Sequence, residues 1–106
     1  MNNRLEVLKN MVAQNPSDSF ARYGLAMEYA GRGETPEALK EFDRLLTEHP
    51  DYTAGYFMAA QTLAKAGRTG EAIARLNGGI ESARRTGNQH ALGEMQAMLD
   101  ELELAG

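Results

Sequence analysis

The chain has two histidines, His49 and His90, and they are the natural starting point for any metal or acid–base chemistry. They stand 41 positions apart, without the i, i+4 His–His spacing or the Glu-x-x-His spacing that puts ligands on one helix face. Cysteine is absent, which removes thiolate metal sites, thiol nucleophiles and disulfides. Glycine-bearing segments at Gly31-Arg32-Gly33 and Gly67-Arg68-Thr69-Gly70 lack the Gly-Lys-Ser/Thr ending of a phosphate loop and follow no strand pattern. They read as turns between helices. Asp and Glu number 15 in total. They recur at i, i+4 spacing, as in Glu37/Glu41, Glu71/Arg75 and Glu81/Arg85, the pattern of solvated helix faces in which a pair stabilises by a few tenths of a kcal/mol. No residue combination supplies a nucleophile with a base, so the sequence predicts a non-enzyme without cofactor or metal.

The balance of charge narrows the partners. A net charge of −4 and a pI near 5.1, with lysines and arginines scattered apart from Arg84-Arg85, argue against a phosphate backbone as ligand. The opening Met1-Asn2-Asn3-Arg4-Leu5-Glu6 is not the apolar run of a signal peptide, and no stretch approaches the roughly 18 apolar residues that span a bilayer. The expectation is a soluble, cytoplasmic chain with neither nucleic acid nor membrane as partner.

The elements that position these residues follow from an internal period. Shifting the chain by 34 aligns Ala26 with Ala60, Ala30 with Ala64, Gly33 with Gly67, Thr35 with Thr69, Glu37 with Glu71 and Ala38 with Ala72. The same shift aligns Pro16 with Pro50 and Leu5 with Leu39. Within the units the apolar spacing is helical: Leu5, Leu8 and Val12 lie at i, i+3 and i+7. Ser17 or Asp18 can cap a second helix, and Gly31 or Gly33 can close it. Thr35-Pro36 predicts a helix start, with the threonine accepting from a free amide, and Thr69-Gly70 repeats the signal. Helices are expected at 3–14, 18–31, 36–48, 52–66, 70–86 and 88–104.

A 34-residue helical unit resembles the tetratricopeptide repeat (TPR). In the first unit Leu25-Ala26, Tyr29, Ala38, Phe42 and Pro50 fit its pattern, with Arg22 in the slot for a large aromatic. In the second, Tyr56, Ala59-Ala60, Leu63, Ala72 and Leu76 fit, and Arg84 replaces the closing proline. The segment with Leu8 and Pro16 is similar to the closing half of a preceding unit. The resemblance implies an all-α, right-handed α-solenoid of antiparallel helix pairs, about six helices in a single domain over 1–106. Its divisions would be a half repeat at 3–16, repeats at 17–50 and 51–86, and a capping helix at 88–104. In that last helix an offset of 36 places Leu92, Met95, Leu99 and Leu102 inward and Glu94, Asp100, Glu101 and Glu103 outward. Two extra residues are therefore expected in the Thr86-Gly87-Asn88 turn.

The adjacent Gly78-Gly79 cost helix stability, about 0.8–1.0 kcal/mol each relative to alanine. Either a close helix approach or a soft point that adjusts on binding would account for them. Ala38 and Ala72 mark the expected tight helix crossings.

A helix turns 100 degrees per residue, so with Leu25 at zero Tyr29, Arg22 and Ala26 lie at about 40, 60 and 100 degrees, the face toward the partner helix. Ala30, Tyr23, Met27 and Phe20 fall at about 140, 160, 200 and 220 degrees, an apolar surplus. The fourth helix repeats the surplus with Ala54, Phe57, Met58 and Gln61. The resemblance implies that this face lines a concave groove, which makes Phe20, Tyr23, Met27, Phe57, Met58 and Gln61 the candidate partner-binding set. The alternative is that the terminal helices fold over these residues as core. The Lys/Asn clamp by which some TPR domains hold a peptide carboxylate is missing, since its positions carry Tyr23, Met27, Met58, Asn88 and Leu92. The expected function is protein–protein interaction, a peptide or helix of a partner seated in the groove. A homodimer through the same face is the second reading.

Overall fold

The computed structural model describes residues 3–105. Of the expected 1–106 domain, residues 1, 2 and 106 lie outside that range. Six helices follow one another: α1 Arg4–Gln14, α2 Ser19–Gly31, α3 Thr35–Glu48, α4 Thr53–Lys65, α5 Thr69–Thr86 and α6 Gln89–Ala105. No strand occurs among the described residues.

Local chemistry sets most boundaries. Of the two candidate caps for α2, Asp18 is used, its Oδ1 accepting from the Ala21 amide at 3.1 Å. Gly33 and Gly67 close α2 and α4 with φ of 76° and 77°, a left-handed backbone in which glycine meets no Cβ penalty. The amide after each, Glu34 and Arg68, then donates to the carbonyls of Tyr29 and Leu63 at 3.0 and 2.9 Å. The threonine caps are a correction: Thr35 and Thr69 are the first helical residues, Glu34 and Arg68 hold the cap positions, and neither helix has a side-chain cap bond. The expected exposed pairs are partly corrected too. Glu81–Arg85 forms at 3.7 Å, whereas Glu71 turns to Arg68, Arg75 reaches across to Asp43 on α3, and Glu41 is taken by Arg22. Glu37 and Glu41 carry like charges, so an opposite charge elsewhere wins.

Each helix packs on its chain neighbours, and α2 and α6 also touch α4. The short connections make consecutive helices antiparallel, and the even-numbered helices share one side of the stack. Equivalent positions 34 apart are buried alike: Ala26 and Ala60, Ala38 and Ala72, and Phe42 and Leu76 are all fully enclosed. They belong to one continuous core that includes Leu45, Leu63, Ile80 and Met95. This architecture is an all-α helical solenoid.

Arg22 fills its aromatic slot by different means. It is only 5% exposed, donates to Glu41 Oε1 at 2.6 Å and donates to the Pro16 carbonyl at 3.0 Å. In the next unit the Tyr56 hydroxyl donates to the Pro50 carbonyl at 2.8 Å. Gly79 is explained by packing: a Cβ there would lie 2.4 Å from Met95 Sδ and 2.6 Å from Tyr56 Cβ. At Gly78 it would lie 3.0 Å from the Tyr56 ring.

The last turn departs from expectation in an informative way. Helices α2, α4 and α6 start at 19, 53 and 89, intervals of 34 and 36, as the shifted register requires. The extra residues are not in the turn, however. Helix α5 runs on to Thr86, where the equivalent α3 stops before Pro50, and only Gly87-Asn88 separate α5 from α6. Proline disfavours helical backbone in the residue before it, and Arg84 imposes no such stop. The helix continues until Gly87, at φ 70°, ends it.

Candidate interaction groove

The even-numbered helices present a run of connected hollows. Between α1 and α2 a cavity of about 400 Å³ is lined by Leu8, Met11, Phe20, Tyr23 and Met27. Between α2 and α4 one of about 340 Å³ is lined by Met27, Met58, Gln61 and Lys65. A third, about 210 Å³, lies where Tyr23, Phe57 and Met58 meet Asn88, His90, Ala91 and Glu94. The fourth, about 440 Å³ between α4 and α6, is bounded by Phe57, Gln61, Glu94, Met98, Glu101 and Leu102.

Five of the six candidate residues are thereby brought together. Tyr23, Met27, Phe57, Met58 and Gln61 each line two of these hollows, and all five are half-buried. Phe20 is set apart. It is 74% exposed, lies in the first turn of α2 toward α1, and shares no hollow with Phe57, Met58 or Gln61. Helices α1 and α6 flank these side chains as rims, and none of the six reaches the burial of Leu25 or Leu63.

Tyr52 was not singled out by helix-face arithmetic, although the expected fourth helix began there; it holds the N-cap position of α4, outside the regular helix. Its ring packs against Tyr23 with centroids 5.2 Å apart and planes tilted by 41°. Such tilted pairs are favoured by the quadrupoles of the rings. Burial pushes the Tyr23 phenol above its usual pKa, and burial followed by repulsion from Tyr23 and Asp18 does the same for Tyr52. Both therefore keep the hydroxyl proton at neutral pH and can donate a hydrogen bond. The α6 rim, with Glu94, Met98 and Glu101, was also missed. From sequence, Glu94 and Glu101 are expected outward with Asp100 and Glu103; their spacing of seven, two helical turns, is the signal that separates them as one face.

The two histidines and the residues at the clamp positions of α6 have local partners. His49 Nε2 lies 3.1 Å from the Ser17 carbonyl and ties the end of α3 to the preceding corner, and His90 lies 3.5 Å from Glu94. Asn88, at a position of the missing clamp, caps α6 through a 3.0 Å bond from the Ala91 amide, and Leu92 packs on the core. Among the described residues no cluster of metal-ligating side chains occurs, and no helix is long and apolar enough to cross a membrane.

A stack of helix pairs with an apolar inner face is the form of a helical-repeat interaction domain. The tetratricopeptide repeat family model matches residues 29–99, and the chain belongs to that family. A TPR repeat-containing protein of Pseudomonas aeruginosa is 27% identical over 101 residues, 95% of this chain and 96% of its own length. The solution structure of a tetratricopeptide repeat domain protein from Salinibacter ruber is 35% identical, covering 84% of this chain and 90% of that one, with a TM-score of 0.79. A protein from Bordetella parapertussis superposes with a TM-score of 0.84 at 26% identity, over 99% of this chain and 91% of that one. The Yersinia enterocolitica type III secretion translocator chaperone SycD has the same fold at 19% identity and a TM-score of 0.87, over 95% of this chain and 70% of that one. Proteins of this family are in general non-catalytic modules that bind other proteins.

Proposed function

We propose that this protein is an adaptor that seats a peptide or helix of a partner in the groove formed by Tyr23, Met27, Phe57, Met58 and Gln61, with Phe20 at its open edge. The binding unit comprises a half repeat at 3–16, repeats at 17–50 and 51–86, and the capping helix at 88–104. One observation carries the reading: adjoining hollows on the α2, α4 and α6 side share methionine and aromatic walls that the terminal helices leave uncovered. Methionine adapts to varied shapes, and aromatics give large contact area at little entropic cost.

Photo-cross-linking in the source cells tests it. A benzophenone side chain at Gln61 should capture a partner protein, and the same group at the outward Glu103 should not. Equal capture at both positions, or none at Gln61, would sink the groove. An adduct of twice the chain mass would show that a second copy occupies it.

A further inference from the structure

The acidic charge around the groove is unevenly matched. At the α1–α2 end, Glu28 is paired with Arg4 at 3.3 Å and Arg32 at 2.9 Å. On the α6 rim, the one charged partner of Glu94 among the described residues is His90, a contact that is an ion pair only when the imidazole is protonated. Glu101 has no ion-pair partner among the described residues. Both line the α4–α6 hollow, whose other walls are Phe57, Ala97, Met98, Leu102 and the uncharged Gln61. The cation on the groove side of α4, Lys65, belongs to the α2–α4 hollow instead.

We infer that the α4–α6 part of the groove is built for a basic–apolar segment of a partner, with an apolar side chain against Phe57 and Met98 and cationic side chains on Glu94 and Glu101. This rests on the groove being the binding face. Seven residues on α6 separate the two carboxylates by about 10.5 Å along the axis and return them to nearly the same angle. A helical segment meets that spacing with cations at i and i+7, and an extended one with cations three apart, about 10 Å. An acidic segment would face unneutralised like charge, which lowers its affinity and so discriminates against it. A second copy of this chain, itself at −4, is the less complementary occupant.

The test pans a phage-displayed library of random fifteen-residue peptides against the full chain and against Phe57→Ala, then measures selected peptides by fluorescence anisotropy. Selected peptides should carry Lys or Arg on either side of an apolar residue at one of these spacings and should lose binding to Phe57→Ala. The double variant Glu94→Gln/Glu101→Gln, exposed and expected to fold normally, should bind them about five-fold more weakly or worse. Raising salt should weaken the wild type and leave the double variant nearly unaffected. Peptides that need Phe57 but are neutral or acidic, or that ignore the double variant, overturn the charge inference and leave the groove standing. If no selected peptide depends on Phe57, or if sedimentation shows a dimer that Phe57→Ala dissociates, the inference falls, together with the open groove on which it rests.

Discussion

A guanidinium at position 22 and a phenol at position 56 each hold the carbonyl of a proline six residues upstream. The two corners have the same geometry because the backbone there needs one donor, and either side chain reaches it from the same helix position. Arg22 brings a charge that must be answered, and Glu41 answers it from α3. Removing one partner of a buried, hydrogen-bonded charge leaves the other unsatisfied, so Arg22→Ala should cost about 2–4 kcal/mol in chemical denaturation. Arg22→Tyr should recover the part of that loss that comes from the corner, by restoring the tyrosine–proline bond of the second unit, while Glu41 stays unpaired. If Tyr proves as damaging as Ala, the corner bond is not what the slot supplies. The sequence alone marked position 22 as a departure from the family pattern, but the Glu41 partner lies 19 residues away and no local spacing announces it.

At the scale of the helix, expected and observed boundaries differ by at most one residue at each end. Prolines, glycines and apolar periodicity specify those ends locally. The length of α5 relative to its counterpart was harder to read. The two-residue shift of α6 was visible in Leu92, Met95 and Leu99, but the turn was its expected place, whereas Arg84, in place of the proline, lets α5 itself run on to Gly87. Met95 of α6 and Tyr56 of α4 both occupy the space a Cβ at Gly79 would need, so the missing side chain lets the three helices approach closely. Arg84→Pro, which would repair the family pattern on paper, should therefore be harmful. It removes an amide from within a continuous helix and should cost about 3 kcal/mol or more in thermal unfolding. A neutral result would mean that the final turn of α5 contributes nothing to α6 docking. The groove was legible in part for a related reason. Face arithmetic finds residues on regular helices, so Met27, Phe57 and Met58 emerged. Tyr52, at the N-cap of α4 where the regular helix has not begun, and the α6 rim, set by tertiary docking, did not.

For the molecule as a whole, stability propagates from neighbour to neighbour, since α1 and α6 touch one another nowhere and communicate through the stack. Helix α6 packs on α5 and α4. Met95 is fully enclosed, and Leu92, Met98, Leu99 and Leu102 pack on the core formed by the preceding helices. A chain ending at residue 88 should lose the cooperative melting transition of the intact protein and aggregate, because the uncovered apolar faces of α4 and α5 have no polar replacement. Circular dichroism melts with light scattering would check this. A truncated chain that melts like the full one would show that α6 is an appendage.

The Tyr23–Tyr52 ring pair has a practical consequence. The chain has four tyrosines, three phenylalanines and no tryptophan, so its fluorescence and the long-wavelength part of its near-ultraviolet signal are dominated by tyrosine. Tyr29 and Tyr56 are buried in the core, whereas Tyr23 and Tyr52 lie half-buried as a tilted pair, with Tyr23 lining two of the hollows. Asymmetric coupling between those two rings is the part of the signal free to change when something settles beside them. The protein thus carries its own optical probe at the place where a partner is expected, and occupancy can be followed without attaching a dye.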